Sequence, residues 1–170
     1  MRTKRALVKV ASRAKLRAWM LLIPSFAAAG VAFFLGEDRS FQYVTFALML
    51  SGVTIVMAPF IVVLLRGCMI RGAPEPADYH MERASFRNEN PVILAGVPVG
   101  IGGLLLVALL VPDAAGGISG VLAGFASVFA IQFGVLSLSE SRHDVSYAEP
   151  VVWGDQGDVP DGCYLCRRQR

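Results

Sequence analysis

Charge is scarce in this chain. Charged residues make up 17% of 170 positions, against roughly 25% in ordinary soluble domains, and they are gathered into blocks. Between the blocks lie four apolar runs, about 18–35, 41–65, 91–111 and 117–138, and none contains Asp, Glu, Lys, Arg or His. A run without an ionisable group offers no acid, base or metal ligand for chemistry inside a membrane and no relay for a proton-coupled pump. Apolar–polar alternation is missing too, which argues against a β-barrel. The formal net charge of +3 is too small to act as an electrostatic footprint for nucleic acid.

The apolar runs themselves define the architecture. A bilayer core of about 30 Å is crossed by roughly 20 apolar residues in a helix, and backbone groups in lipid must be paired within their own segment. The expected fold class is therefore an all-α membrane protein with four transmembrane helices arranged as two antiparallel hairpins. The basic residues set its orientation. Arg2, Lys4, Arg5, Lys9, Arg13, Lys15 and Arg17 precede the first run. Arg66, Arg71, Arg83 and Arg87 follow the second, and Arg142, Arg167, Arg168 and Arg170 follow the fourth. Arg39 alone falls in a turn on the other side. Both termini are thus expected in the cytoplasm. A cleaved signal peptide ending at Ala27-Ala28-Ala29 fits less well, because the apolar run continues through Phe33, Phe34 and Leu35. Arg outnumbers Lys, and Ala, Gly and Val abound. That composition is compatible with a GC-rich prokaryotic gene and so with the plasma membrane.

Three domains of different character follow: a basic N-terminal segment 1–17, a transmembrane domain 18–138 with a cytoplasmic loop 66–90, and a tail 139–170. The first segment carries Leu7, Val10, Ala11 and Ala14 at near-helical spacing, which reads as a topology anchor or a helix on the membrane surface. The tail is polar and rich in turn residues, so disorder is its default. Its Asp155, Asp158 and Asp161 lack the alternate-position spacing of a calcium loop.

Within the runs, Pro24, Pro59 and Pro98 each interrupt a helix. Gly96, Gly100 and Gly103 share one face of the third run; Gly116, Gly120, Gly124, Ser127 and Gly134 share one face of the fourth. Small faces let helix backbones approach closely. The short turn Pro112-Asp113-Ala114-Ala115-Gly116 makes these two helices antiparallel neighbours, so the two glycine faces are expected to meet. Gln132 is the strongest polar group well inside a run, suited to an interhelical hydrogen bond.

The one motif with chemical character is Cys163-Tyr164-Leu165-Cys166. Two thiolates at this spacing share a zinc ion in many small sites or form a reactive disulfide. A closed zinc site needs four ligands, and the remaining candidates are Cys68, His80 and His143. No cofactor is otherwise implied. The expected function is non-enzymatic: an accessory or scaffold subunit, or a small homo-oligomer, with the lipid bilayer and a membrane-protein partner as its surroundings and no nucleic acid. Two readings stand beside it. One is a small-solute transporter or pore of several copies, motivated by the proline-broken helices. The other is a thiol or zinc sensor using Cys163 and Cys166.

Overall fold

The computed structural model describes residues 5–71, 73–74, 79–85, 91–151 and 164–167. Strand β1 (Arg5–Lys9) leads directly into helix α1 (Val10–Leu35), which turns into α2 (Arg39–Arg71). Short strands β2 (Ala73–Pro74) and β3 (Tyr79–Glu82) precede α3 (Pro91–Leu110). A 3-10 turn (Pro112–Ala114) joins α3 to α4 (Ala115–His143), and strands β4 (Val145–Pro150) and β5 (Tyr164–Arg167) close the chain.

The structure is mainly helical, and three segments, Val10–Leu35, Arg39–Val63 and Pro112–His143, are long and apolar enough to cross a bilayer. α3 is a fourth apolar helix of 20 residues. The apolar side chains point outward: Phe34, Ile55, Phe60 and Leu110 are all strongly exposed. A monomeric soluble protein rarely exposes so much contiguous apolar surface. Three hydroxyls on these helices are satisfied locally. Thr45, Thr54 and Ser127 donate to the carbonyls of Phe41, Leu50 and Ala123 at 2.7–2.9 Å, four residues back, as an apolar solvent requires.

Helix ends follow from local chemistry. Asp38 caps α2, its carboxylate accepting from the backbone N–H of Ser40 at 2.9 Å and Phe41 at 3.1 Å. α1 closes with the Gly36 N–H donating to the Ala32 carbonyl at 3.2 Å. A Cβ at Gly36 would stand 2.5 Å from the Ala32 backbone carbonyl oxygen, so the tight turn needs glycine. α4 ends at Asp144 in the left-handed region, φ 53°, a conformation Asp tolerates better than most residues. α1, α2 and α4 all extend past their apolar runs, because each added residue gains one more backbone hydrogen bond once a helix exists.

α4 is the centre of the helical domain. It packs along α1 on one side and α2 on the other, while α1 and α2 scarcely touch. Ala115, Gly116, Ser119, Gly120, Ala123, Gly124 and Ala126 are its buried small residues. The neighbour seated on its glycines is α2, not α3. A Cβ at Gly124 would lie 2.7 Å from the Val53 Cβ, and one at Gly120 would meet the Phe46 carbonyl oxygen and stand 3.0 Å from the Met49 Cβ. Gly96, Gly100 and Gly103 face open space instead, with nothing within 4 Å of an added Cβ. The meeting of glycine faces expected within the α3–α4 hairpin is therefore corrected. The short turn brings only the helix ends together, where Ala108 packs with Ala32 and Ala115, and the glycine face of α4 is filled by α2.

Two polar ties fasten the helices. Ser25 on α1 donates to the Ser119 carbonyl at 3.0 Å, and Ser119 on α4 donates back to the Ser25 carbonyl at 2.9 Å. Both are buried, where such bonds average about 0.6 kcal/mol each between membrane helices.

Outside the helices the chain forms a five-stranded mixed sheet in the order β2-β5-β4-β1-β3. β1 pairs in parallel with β3 (Arg5 opposite Tyr79, Val8 opposite Glu82) and antiparallel with β4 (Leu7 opposite Pro150, Lys9 opposite Ala148). β4 pairs antiparallel with β5, and β5 in parallel with β2. The sheet differs from the helical reading of 1–17 at Arg5–Lys9 alone, since Val10, Ala11 and Ala14 are in α1, and from the disorder expected of the tail at Val145–Pro150 and Tyr164–Arg167; the rest of the tail beyond residue 151 lies outside the described residues. The physical reason is cooperation. Each segment is too short for a core, but Leu7, Ala148, Tyr164 and Cys166 together bury one face. Tyr147, Val145 and Leu165 turn the other face onto Val10, Ala11, Leu65 and Leu136 of the helices. Period-two alternation along β4 separates the two sets.

The packing generates a contrast to test by thermal denaturation in detergent. Gly124→Leu overpacks the α2–α4 contact and lowers stability by about 1–3 kcal/mol, whereas Gly100→Leu, on an open face, changes it by less than about 0.5 kcal/mol. Equal losses would contradict the packing.

Candidate functional site

Two regions hold polar groups against the apolar background, one at each end of the helical domain. At the sheet end, Arg13 on the first turns of α1 is 2% exposed, and its guanidinium donates to the Glu149 carboxylate of β4 at 2.8 Å. Glu149 keeps 26% exposure, so the pair reaches from the interior to water. Beside it, the Glu140 carboxylate at the end of α4 accepts from the Tyr147 backbone N–H at 3.0 Å. The Tyr147 hydroxyl lies 3.1 Å from the Ser139 hydroxyl. The Lys15 ammonium stands over the Phe133 ring, 5.9 Å from its centre, within cation–π range. The Arg13, Glu140 and Tyr147 contacts hold the sheet onto the ends of α1 and α4.

At the opposite end, Gln42 joins the two helix turns. It is buried although polar. Its amide oxygen accepts from the Gly116 N–H at 2.6 Å and its amide nitrogen donates to the Pro112 carbonyl at 2.9 Å. The first N–H groups of a helix have no partner inside it, and α4 begins without a side-chain cap of its own. Gln42 supplies one from α2. A Cβ at Gly116 would collide with the Gln42 backbone, its Cα 2.9 Å away, so glycine admits this approach. Next to Gln42 lies a cavity of about 420 Å³ between α1 and α2, floored by α4 and lined by Arg39 together with Phe33, Phe46 and Ser119 among others. The Arg39 guanidinium stands 4.8 Å over the Phe33 ring, within cation–π range.

The described members of the expected chemical set lie on different elements. Cys166 is buried at the sheet in the cluster with Leu7, Ala148 and Tyr164, an apolar setting that raises the cost of forming a thiolate. Cys163 lies outside the described residues. Cys68 belongs to α2, His143 ends α4, and His80 on β3 approaches the Glu82 carboxylate at 3.2 Å. Among the described residues no three His, Cys, Asp or Glu side chains gather closely enough to hold a metal ion. Gly120 and Gly124 are brought together with α2; Gly96, Gly100 and Gly103 are brought to nothing. Gln132 is half-buried on α4, and the hydrogen bonding between helices falls to Gln42, Ser25 and Ser119. Sequence reasoning passed over all three. The available signal was position: Gln42 and Gly116 each lie just inside a helix that follows a short turn. Arg39 was visible as the basic residue out of place.

Comparison with protein-family models, curated proteins and solved structures finds no match to this chain. The apolar helices and their outward surfaces define its class, a helical membrane protein.

The ion pair gives the second prediction. Glu149→Ala leaves the Arg13 charge buried without this carboxylate and destabilises by about 3 kcal/mol. The double variant Arg13→Met with Glu149→Leu regains more than half of that loss, because an apolar pair of similar size suits the same space. Chemical denaturation followed by circular dichroism measures both, and additive losses would contradict the coupling.

Proposed function

We propose that the protein is a non-enzymatic, multi-pass protein of the plasma membrane that works by association, as an accessory or scaffold subunit. Four crossings with both ends in the cytoplasm are supported by the sheet. β1 precedes the α1–α2 excursion, β3 follows it, and β4 follows the α3–α4 excursion, yet β1 pairs with both β3 and β4. A chain that leaves and returns to one sheet twice crosses an even number of times each time. The basic flanks favour the cytoplasm for that sheet.

The observation that carries association is the state of α3. Among its described residues only Ala108 is buried, and among the described residues nothing lies within 4 Å of a Cβ added at Gly96, Gly100 or Gly103. Association in lipid draws on dispersion, weak Cα–H contacts and close backbone approach, all of which a glycine face provides. A partner helix in the bilayer, from another subunit or a second copy, would satisfy it. The absence of ionisable groups from the four runs supports a role in assembly over catalysis.

Native mass spectrometry of the protein gently extracted from its own membranes tests the reading. A complex or homo-oligomer is expected, and Gly100→Leu reduces its recovery while leaving the fold intact. A monomer under the same mild conditions, for wild type and variant alike, would overturn it.

A further inference from the structure

The cavity beside Gln42 has a chemistry that selects its occupant. Its volume of about 420 Å³ falls within the roughly 300–1,000 Å³ typical of small-molecule sites. Ala29, Gly30 and Phe33 of α1 and Tyr43 and Phe46 of α2 make an apolar wall. The polar groups of the floor are already engaged within the fold: Ser119 with Ser25, and the Gly116 N–H with Gln42. A polar molecule would therefore find little to bind there, and an apolar chain would lose nothing by entering. The lining includes one charge, the Arg39 guanidinium. The two residues before it in the chain are Glu37 and Asp38, both exposed, and Asp38 is engaged in capping α2.

We infer that this groove is a lipid site, holding one acyl chain of an aminophospholipid whose phosphate is bound by Arg39 and whose ammonium group meets the Glu37 carboxylate. The inference rests on the membrane-spanning reading. Three features converge on this class of ligand. The groove lies between α1 and α2, which scarcely touch, so a chain enters sideways from the bilayer. Guanidinium binds phosphate through paired charge-assisted hydrogen bonds. The flanking carboxylates oppose a headgroup with net negative charge and favour one carrying a primary ammonium donor.

The full chain, purified in detergent and mixed with phosphatidylethanolamine, phosphatidylglycerol or phosphatidylcholine, is read by native mass spectrometry. One phosphatidylethanolamine per chain is expected, retained ahead of the other two lipids. Arg39→Gln lowers its retention about tenfold, in line with loss of hydrogen bonds to a charged partner. Gly30→Leu provides the second variant. An added Cβ at Gly30 meets nothing within 4 Å, so the larger side chain fills the groove without disturbing helix packing, and bound lipid is lost at unchanged thermal stability. Retention by Arg39→Gln equal to wild type, or a preference for phosphatidylglycerol, overturns the site. Release of the protein from native membranes by alkaline carbonate would instead overturn the membrane reading, which separates the two failures.

Discussion

The seam between α1 and α4 organises the molecule. It begins inside the helical domain with the reciprocal serine bonds of Ser25 and Ser119. It continues toward the sheet through the Arg13–Glu149 pair and ends in the antiparallel β1–β4 ladder. β1 runs into α1 without a linker, and α4 reaches β4 through Asp144 alone. Two antiparallel helices are thus prolonged as two antiparallel strands. A shift of one pair would break the register of the other, because a one-residue slip in a strand reverses every side chain. α2, β3 and β5 assemble on this frame: α2 on the glycines of α4, β3 beside β1, and β5 beside β4.

Polar groups are arranged around the seam according to their solvent. In the apolar middle they are small and mutually satisfied, as in the serine pair. At the sheet end they are charged-type side chains, with Arg13 buried and its partner Glu149 partly exposed. At the far end Gln42 satisfies both helix turns at once, since a neutral amide donates and accepts within one side chain. The far end also holds the cavity, because α1 and α2 are each held by α4 rather than by one another. The same arrangement leaves α3 with its glycine face unfilled.

The apolar runs and their helices were legible in the sequence, because lipid-crossing helices need length and hydrophobicity and both are local properties. The sheet was not legible. Arg5–Lys9 is only five residues, of which Leu7 alone belongs to the helical spacing that continues through Val10, Ala11 and Ala14, and its strand state depends on Tyr79–Glu82 and Val145–Pro150, each distant in sequence. The glycine faces were visible, but their partners were not. A small face shows that a helix will approach closely and does not say to which neighbour, so α2 rather than α3 could not be read from spacing. Gln42 was overlooked because an amide near a helix start gives no periodic signal. For Cys166, the CxxC spacing showed the thiol but not the apolar cluster that buries it.

Hydrogen–deuterium exchange of the full chain in detergent micelles is the most direct test of this account. It distinguishes a tail that is part of the structure from one that merely follows it. The account predicts that the amides of β1 and of Val145, Ser146, Tyr147, Ala148 and Glu149 are protected together as one cooperative unit. Glu149→Ala should weaken protection in both strands at once. Complete exchange of β4 at the rate of an unstructured chain, with α1 and α4 still protected, would contradict it.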